Sequence, residues 1–170
     1  MNDASNGYEA IAAAFLAGRG NSETRDIAVG VRTVRVWAKT LRSGGAVLDL
    51  GCGPGDPITR ILFEAGLAVY GVDASPSMVG AFRARFPGVP VECNSVERSN
   101  FFGREFDGVI AWGLLFLLQP GVQGQLIGKV ARALARDGRF LFTATRQACE
   151  WSDAMTGRRS ESLTGARFRD

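Results

Sequence analysis

Histidine is missing altogether from the 170 residues. Its absence excludes Ser-His-Asp triads, Cys-His pairs and histidine metal sites, and no metal site is expected. Cysteine is sparse and odd in number, with Cys52, Cys93 and Cys149 falling in expected strands, turns or loops. A disulfide framework is therefore not expected, and the chain reads as a protein of a reducing, cytoplasmic compartment. Long apolar runs are also lacking, since the longest, GVIAWGLLFLL, is too short to span a bilayer. The opening MNDASNGYEA has no basic segment followed by an apolar one, so neither export nor membrane insertion is expected. Strong charge of either sign is absent as well, the net charge being +3. The arginines are dispersed, and the loose cluster between Arg158 and Arg169 reads as a solvated tail rather than a nucleic-acid patch.

What remains is an ordinary globular composition, 46% hydrophobic and 22% charged, enough for one domain with a core. Tyr8, Ile11, Ala12, Phe15 and Leu16 share one helical face, and Ile27, Val31, Val34, Ala38 and Leu41 share another, so two helices precede the first strand. Beyond them VLDL, LAVYGVD, VPVEC, FDGVIAW and GRFLFTA read as five strands. Helical patterns separate them, at Ile58 to Ala65 with Gly66 as the stop, after Ser75-Pro76, and at Leu126 to Leu134. Only a loop or short helix fits between Ser95 and Glu105. Nearly apolar strands alternating with helices describe a parallel sheet covered on both faces.

In such sheets ligands bind outside the carboxyl ends of the strands. The residues collected there begin with VLDLGCGPGDP, 47–57, in which a strand runs into Gly51, Gly53 and Gly55 and then into Asp56-Pro57, read as a helix cap and first turn. Bare backbone at that turn lets a ligand approach the free N–H groups of a helix start. A dinucleotide fingerprint would need a third glycine where Asp56 stands, and a carboxylate there repels a pyrophosphate. Asp73, closing the second strand, suits a bidentate grip on two ribose hydroxyls. An adenosine without a diphosphate is the better ligand. Cys52 reads as a small turn residue, not a nucleophile.

VLDLGCGPG followed by GVDAS resembles the class I S-adenosylmethionine-dependent methyltransferases, the likeness running from Val47 to Thr145. It implies a Rossmann-like α/β fold with strand order 3-2-1-4-5 and S-adenosylmethionine as cofactor. By the same resemblance Asp49, Gly51, Cys52, Gly53 and Gly55 form the cofactor turn, its methionine end lying along Asp49, Gly51 and Gly53. Asp73 holds the ribose, and Ala74 and Met78 flank the adenine. Asn94, Ser95 and Val96 meet the adenine edge, where relatives commonly carry an acid at the position of Ser95. Trp112 would lie beside the sulfonium, and residues 1–45 would form a helical lid over the core of 46–145. Arg19 is a candidate partner for the cofactor carboxylate, with a surface arginine as the favoured reading.

The expected reaction is methyl transfer to a small molecule. The protein aligns a nucleophile with the methyl group and removes water. Tyr8, Trp112, Phe116 and Trp151, with Leu115, are the candidate substrate wall and favour an apolar or aromatic acceptor. With histidine absent, Asp153 is the candidate general base. The chain has Ala111, Trp112, Gly113 and Leu114 where nucleic-acid methyltransferases carry an Asn-Pro-Pro-Tyr-like sequence, so a flipped base is not expected. A cofactor-binding or assembly subunit without turnover, a truncated relative of the enzyme, is the alternative. The polar segment 146–170 lacks a pair of β-branched runs. The family's final antiparallel hairpin is therefore expected to be missing, leaving the fifth strand as an edge through which two copies could pair.

Overall fold

Ala46–Leu50 forms β1, and all five of its residues are buried. Its side chains alternate between two separate cores. Leu48 and Leu50 pack with Val109, Leu126 and Val130 on one face, while Val47 packs with Val34, Leu62 and Ile110 on the other. Burying an aliphatic side chain of this size contributes about 1.5–3 kcal/mol, so the central strand alone accounts for much of the sheet's cohesion.

The computed structural model describes residues 3–18 and 30–163. Around β1 lie β2 (Ala68–Asp73), β3 (Val91–Cys93), β4 (Phe106–Ala111) and β5 (Leu134–Phe142). They form one sheet in the order β3-β2-β1-β4-β5, with every pairing parallel. The helices are α1 (Ala12–Gly18), α2 (Val31–Ala38), α3 (Ile58–Glu64), α4 (Pro76–Arg85) and α5 (Pro120–Ala133). α2 and α3 cover one face through Val31, Val34, Ala38, Ile61 and Leu62, and α5 covers the other through Leu126 and Val130. The link after β3 holds only a 3-10 turn, Phe101–Gly103, as its length predicts. No helix among the described residues is long and apolar enough to cross a membrane.

Local signals were read correctly at α4, where the Ser75 hydroxyl accepts the Met78 N–H at 3.2 Å and Pro76 opens the helix. At α3 the expected cap is corrected. The position before the helix is Pro57, with no side-chain cap, and the Asp56 carboxylate instead takes the Arg60 guanidinium at 3.1 and 3.2 Å. The first helix is also shorter than its periodicity, because residues 4–11 run as turns before Ala12.

The expectation of a missing hairpin is overturned. Cys149–Ser152 (β6) and Arg159–Ser162 (β7) pair antiparallel, but as a separate two-stranded sheet that does not extend β5. β-branched side chains are not what holds it. The buried Gln123 amide donates to Leu118 O at 2.9 Å and Glu161 O at 2.7 Å, and the Thr145 N–H donates to the Ser162 hydroxyl at 3.1 Å. The Glu161 and Ser162 bonds tie the pair to α5 and to the segment that follows β5.

Candidate active site

Three glycines at the end of β1 all adopt positive φ, at 68° for Gly51, 54° for Gly53 and 81° for Gly55, a region side-chain-bearing residues disfavour. Their surroundings differ. A Cβ on Gly51 would meet Leu114 at 3.1 Å, and one on Gly55 would meet the Phe86 ring at 2.4 Å, whereas nothing lies within 4 Å of one on Gly53. Gly55 thus makes room for α4 rather than for a ligand, and Gly53 is the glycine facing open space.

That space is a cavity of about 550 Å³, inside the range of about 300–1,000 Å³ usual for small-molecule sites. It brings together Asp49, Gly51, Cys52 and Gly53 from the turn, and Asp73, Ala74 and Met78 from the end of β2 and the start of α4. Ser95 and Val96 follow β3, Trp112 follows β4, and Tyr8, Phe116 and Asp153 complete the wall. Gly55 and Trp151 do not line it. Trp151 stands behind the wall, its ring 5.2 Å from that of Phe116. Leu115, expected beside the substrate, is buried in the core, and Asn94 turns its amide to Glu92 at 2.8 Å. Arg19 and Ile27 lie outside the described residues.

Two carboxylates dominate the glycine end. Asp73 is fixed from both sides, accepting the Gly53 N–H at 2.8 Å on one oxygen and the Ser75 N–H at 2.9 Å on the other. Burial raises its carboxyl, while those two N–H bonds pull it back. Each oxygen keeps a lone pair for a further donor, so two neighbouring hydroxyls fit here. Asp49 is 2% exposed and accepts the Thr59 hydroxyl at 2.6 Å. Burial pushes it up to about 7, with a further rise from Asp73. A cation beside it would hold the ionised form. Burial also drives the Cys52 thiol well above its usual value, which leaves no thiolate to react.

Asp153 sits in the turn between β6 and β7. One of its oxygens accepts Met155 N–H at 3.0 Å, Thr156 N–H at 2.8 Å and the Thr156 hydroxyl at 3.0 Å. Methionine at 78 is 2% exposed and so serves the core as well as the cavity.

Two acids escaped the sequence reading. Glu9 in the N-terminal segment accepts hydrogen bonds from the Ser75 hydroxyl, the Ser77 N–H at 3.1 Å and the Ser77 hydroxyl at 2.7 Å. No local pattern marks it, because its partners lie more than sixty positions away. Glu97 lines the cavity two residues beyond Ser95, so the post-β3 segment does carry an acid, displaced from where the resemblance places it.

Comparison with known proteins agrees with this geometry. A profile of the methyltransferase domain matches residues 47–138, more than half of the chain. An uncharacterized methyltransferase of Synechocystis sp. is 32% identical over 108 residues, which is 64% of this chain and 50% of that protein. The chain therefore spans about half the length of that curated relative. An S-adenosylmethionine-dependent methyltransferase from Mesorhizobium loti is similar at 26% identity and TM-score 0.57, over 81% of this chain and 65% of that one. Magnesium protoporphyrin IX methyltransferase from Synechocystis, solved with bound S-adenosylmethionine, shares the fold at 20% identity and TM-score 0.67, covering 95% of each chain. With the five-stranded order and the glycine turn already in place, the matched profile establishes that the chain belongs to the methyltransferase domain family, among the class I S-adenosylmethionine-dependent methyltransferases.

Proposed function

We propose that this chain binds S-adenosylmethionine in the cavity above β1 and β2 and directs its methyl group to a small-molecule acceptor. The observation that carries the reading is the Gly53 and Asp73 pair. The Gly53 amide donates to a carboxylate, and of the three turn glycines Gly53 is the one whose Cβ direction is open. Bound there, the cofactor supplies an electrophilic methyl group on a sulfonium, and the chain's own residues do the rest. Asp73 takes the ribose hydroxyls, Ala74 and Met78 lie along the adenine, and Ser95 and Val96 meet its edge. Asp49 offers its carboxylate to the cationic end. Trp112 and Phe116 exclude water from the acceptor's approach, and Tyr8 covers them from the N-terminal segment. Asp153, with one oxygen committed to its own turn, keeps the other for the acceptor and is the carboxylate placed to take a proton from it.

Calorimetry with S-adenosylhomocysteine and with NAD tests the reading. Binding of the former is expected, weakened by about 1–3 kcal/mol in Asp73→Ala, the scale of lost charge-assisted hydrogen bonds, and more strongly in Gly53→Val. Preference for NAD, or an Asp73→Ala variant with unchanged affinity, overturns it.

We also propose that a second copy pairs along β5. This strand bonds β4 on one side, no strand covers its other side among the described residues, and none of its nine residues is fully buried. Light scattering over a concentration series is expected to show dimers, and a monomer at all concentrations refutes the pairing.

A further inference from the structure

The walls of the cavity carry charge of one sign. Asp49, Asp56, Asp73, Glu97 and Asp153 line it, and no lysine or arginine does among the described residues, although the whole chain is net positive at +3. The nearby cations are engaged elsewhere. Arg60 pairs with Asp56, Lys129 is spent on backbone carbonyls, Arg158 holds Asp3 at 2.9 Å, and Arg159 holds Glu150 and Glu161.

Among these acids Asp153 stands apart. Asp49 and Asp73 belong to the glycine end, and Asp56 has its guanidinium. Asp153 is only 8% exposed, yet all three of its side-chain hydrogen bonds fall on Oδ1. Oδ2 has no hydrogen-bond donor or cation among the described residues, is not fully enclosed, and belongs to a side chain that lines the cavity. An accessible carboxylate oxygen with no protein donor is free to take a donor from the ligand, exchanging water for a charge-assisted hydrogen bond. The same cavity offers the ring of Phe116, backed by Trp151, together with Trp112 and Tyr8, and aromatic faces attract cations.

We infer that the acceptor is an apolar small molecule bearing a basic amine, whose ammonium or N–H docks on Asp153 Oδ2 between the aromatic rings. This assignment rests on the methyltransferase reading of the same cavity. Phosphorylated and carboxylated acceptors are disfavoured by the same wall, which meets them with like charge and, among the described residues, no lysine or arginine lining it.

The probes are 2-phenylethylamine, 2-phenylethanol and 3-phenylpropanoate, titrated by calorimetry into protein saturated with S-adenosylhomocysteine and into ligand-free protein. The amine is expected to bind about tenfold or more tighter than the alcohol, as a charged hydrogen bond outweighs a neutral one, with the carboxylate weakest. Asp153→Asn keeps the Oδ1 acceptor that orders the turn, and is expected to leave S-adenosylhomocysteine affinity intact while bringing the amine down to the alcohol's level. Parity of amine and alcohol in the unmodified protein, preference for the carboxylate, absence of amine binding, or an Asp153→Asn variant that keeps its amine preference each overturn the inference. If the variant does not fold, the unmodified protein's ranking decides alone. Failure of S-adenosylhomocysteine to bind sinks the cofactor reading instead, and the ligand-free titration then still decides the amine.

Discussion

Glu9 accepts the Ser77 hydroxyl at 2.7 Å although 68 positions separate them in the chain. With the Ser75 hydroxyl and the Ser77 N–H on the same carboxylate, this ties the N-terminal segment to the start of α4, beside the Asp73 end of the cavity. At its other end the segment is held by Asp3, which bonds the Arg158 guanidinium in the hairpin turn at 2.9 Å. Ala4, Ser5, Asn6 and Tyr8 line the cavity between the two ties. The segment is a strap along the cavity, fastened at two points.

Glu9→Ala should therefore loosen the strap without touching the ligand, weakening S-adenosylhomocysteine by about two- to fivefold, the range for solvent-facing polar ties. The Ser75 hydroxyl above all holds the Glu9 carboxyl below its ordinary value. Its contribution is accordingly present above the usual glutamate range and lost as pH falls through the lowered value. Faster proteolysis within residues 3–11 of the variant, slowed by ligand, would support the strap; identical affinity and cleavage would sink it.

Asp49 gives a prediction with two opposite signs. Its carboxyl is raised by burial to about 7 from 3.8, so the folded form holds a proton that the unfolded chain has lost. Stability from this group then falls as pH rises from about 4 to about 7 and is level above. Asp49→Asn, which can still accept the Thr59 hydroxyl, should stabilise the ligand-free protein above pH 7, by at most about 4 kcal/mol. The same change should weaken a cationic ligand. In the unmodified protein, S-adenosylmethionine binding below pH 7 should release a proton, read from calorimetry in buffers of different ionisation heat. An Asn variant that is less stable above pH 7, or binding with no proton release, contradicts the assignment.

Much of this site was legible because its signals are local. Asp49, the glycine run, Asp73 and the Ser75 cap each stand at a strand end or helix start that the adjoining residues mark, although Asp49 and Asp73 find partners ten and twenty positions away. The parts that were missed depend on distant partners. Glu9 looks like any surface acid until α4 is placed beside it. Gly55 reads as a ligand glycine until Phe86 is found against it. CEWS and RSES carry no strand-forming pattern, and their pairing rests on Gln123, Thr145 and the Asp153 turn. Asp56 has the residue type of a cap, but Arg60 one turn on competes for its carboxylate.

Lys129 on α5 is such a distant partner. Its ammonium donates to Val96 O at 2.8 Å, Glu97 O at 2.9 Å and Ser99 O, and lies 4.3 Å from the centre of the Phe101 ring. It thereby sets the backbone that presents Ser95, Val96 and Glu97 to the cavity. Burial lowers its pKa, opposed by Glu92 and Glu97. Lys129→Met should cost about 1–2 kcal/mol of stability, a modest share of three charge-assisted bonds. As a positioning residue it should raise the KM for cofactor several times more than it lowers kcat. A uniform loss in both, tracking stability, would reduce it to a structural role.

Trp112 and Gly30 are fitted to each other. Gly30 has φ of 93° at the start of α2, and a Cβ there would fall 1.8 Å from the Trp112 ring. No rotation of a backbone-attached methyl relieves that overlap, so Gly30→Ala must move either α2 or the indole. Moving α2 disturbs Val31 and Val34, which are buried against the sheet, whereas the indole borders the cavity and can shift into it. The indole is therefore the group expected to yield. Gly30→Ala should cost about 1–3 kcal/mol, the scale for forced positive φ and overpacking. It should also weaken acceptor binding more than S-adenosylhomocysteine binding, because the displaced ring intrudes on the acceptor side. A change in Trp112 emission, isolated in a background with Trp37 and Trp151 replaced by Phe, reports the displacement. Unchanged emission together with unchanged stability would show that the glycine was never needed for the ring.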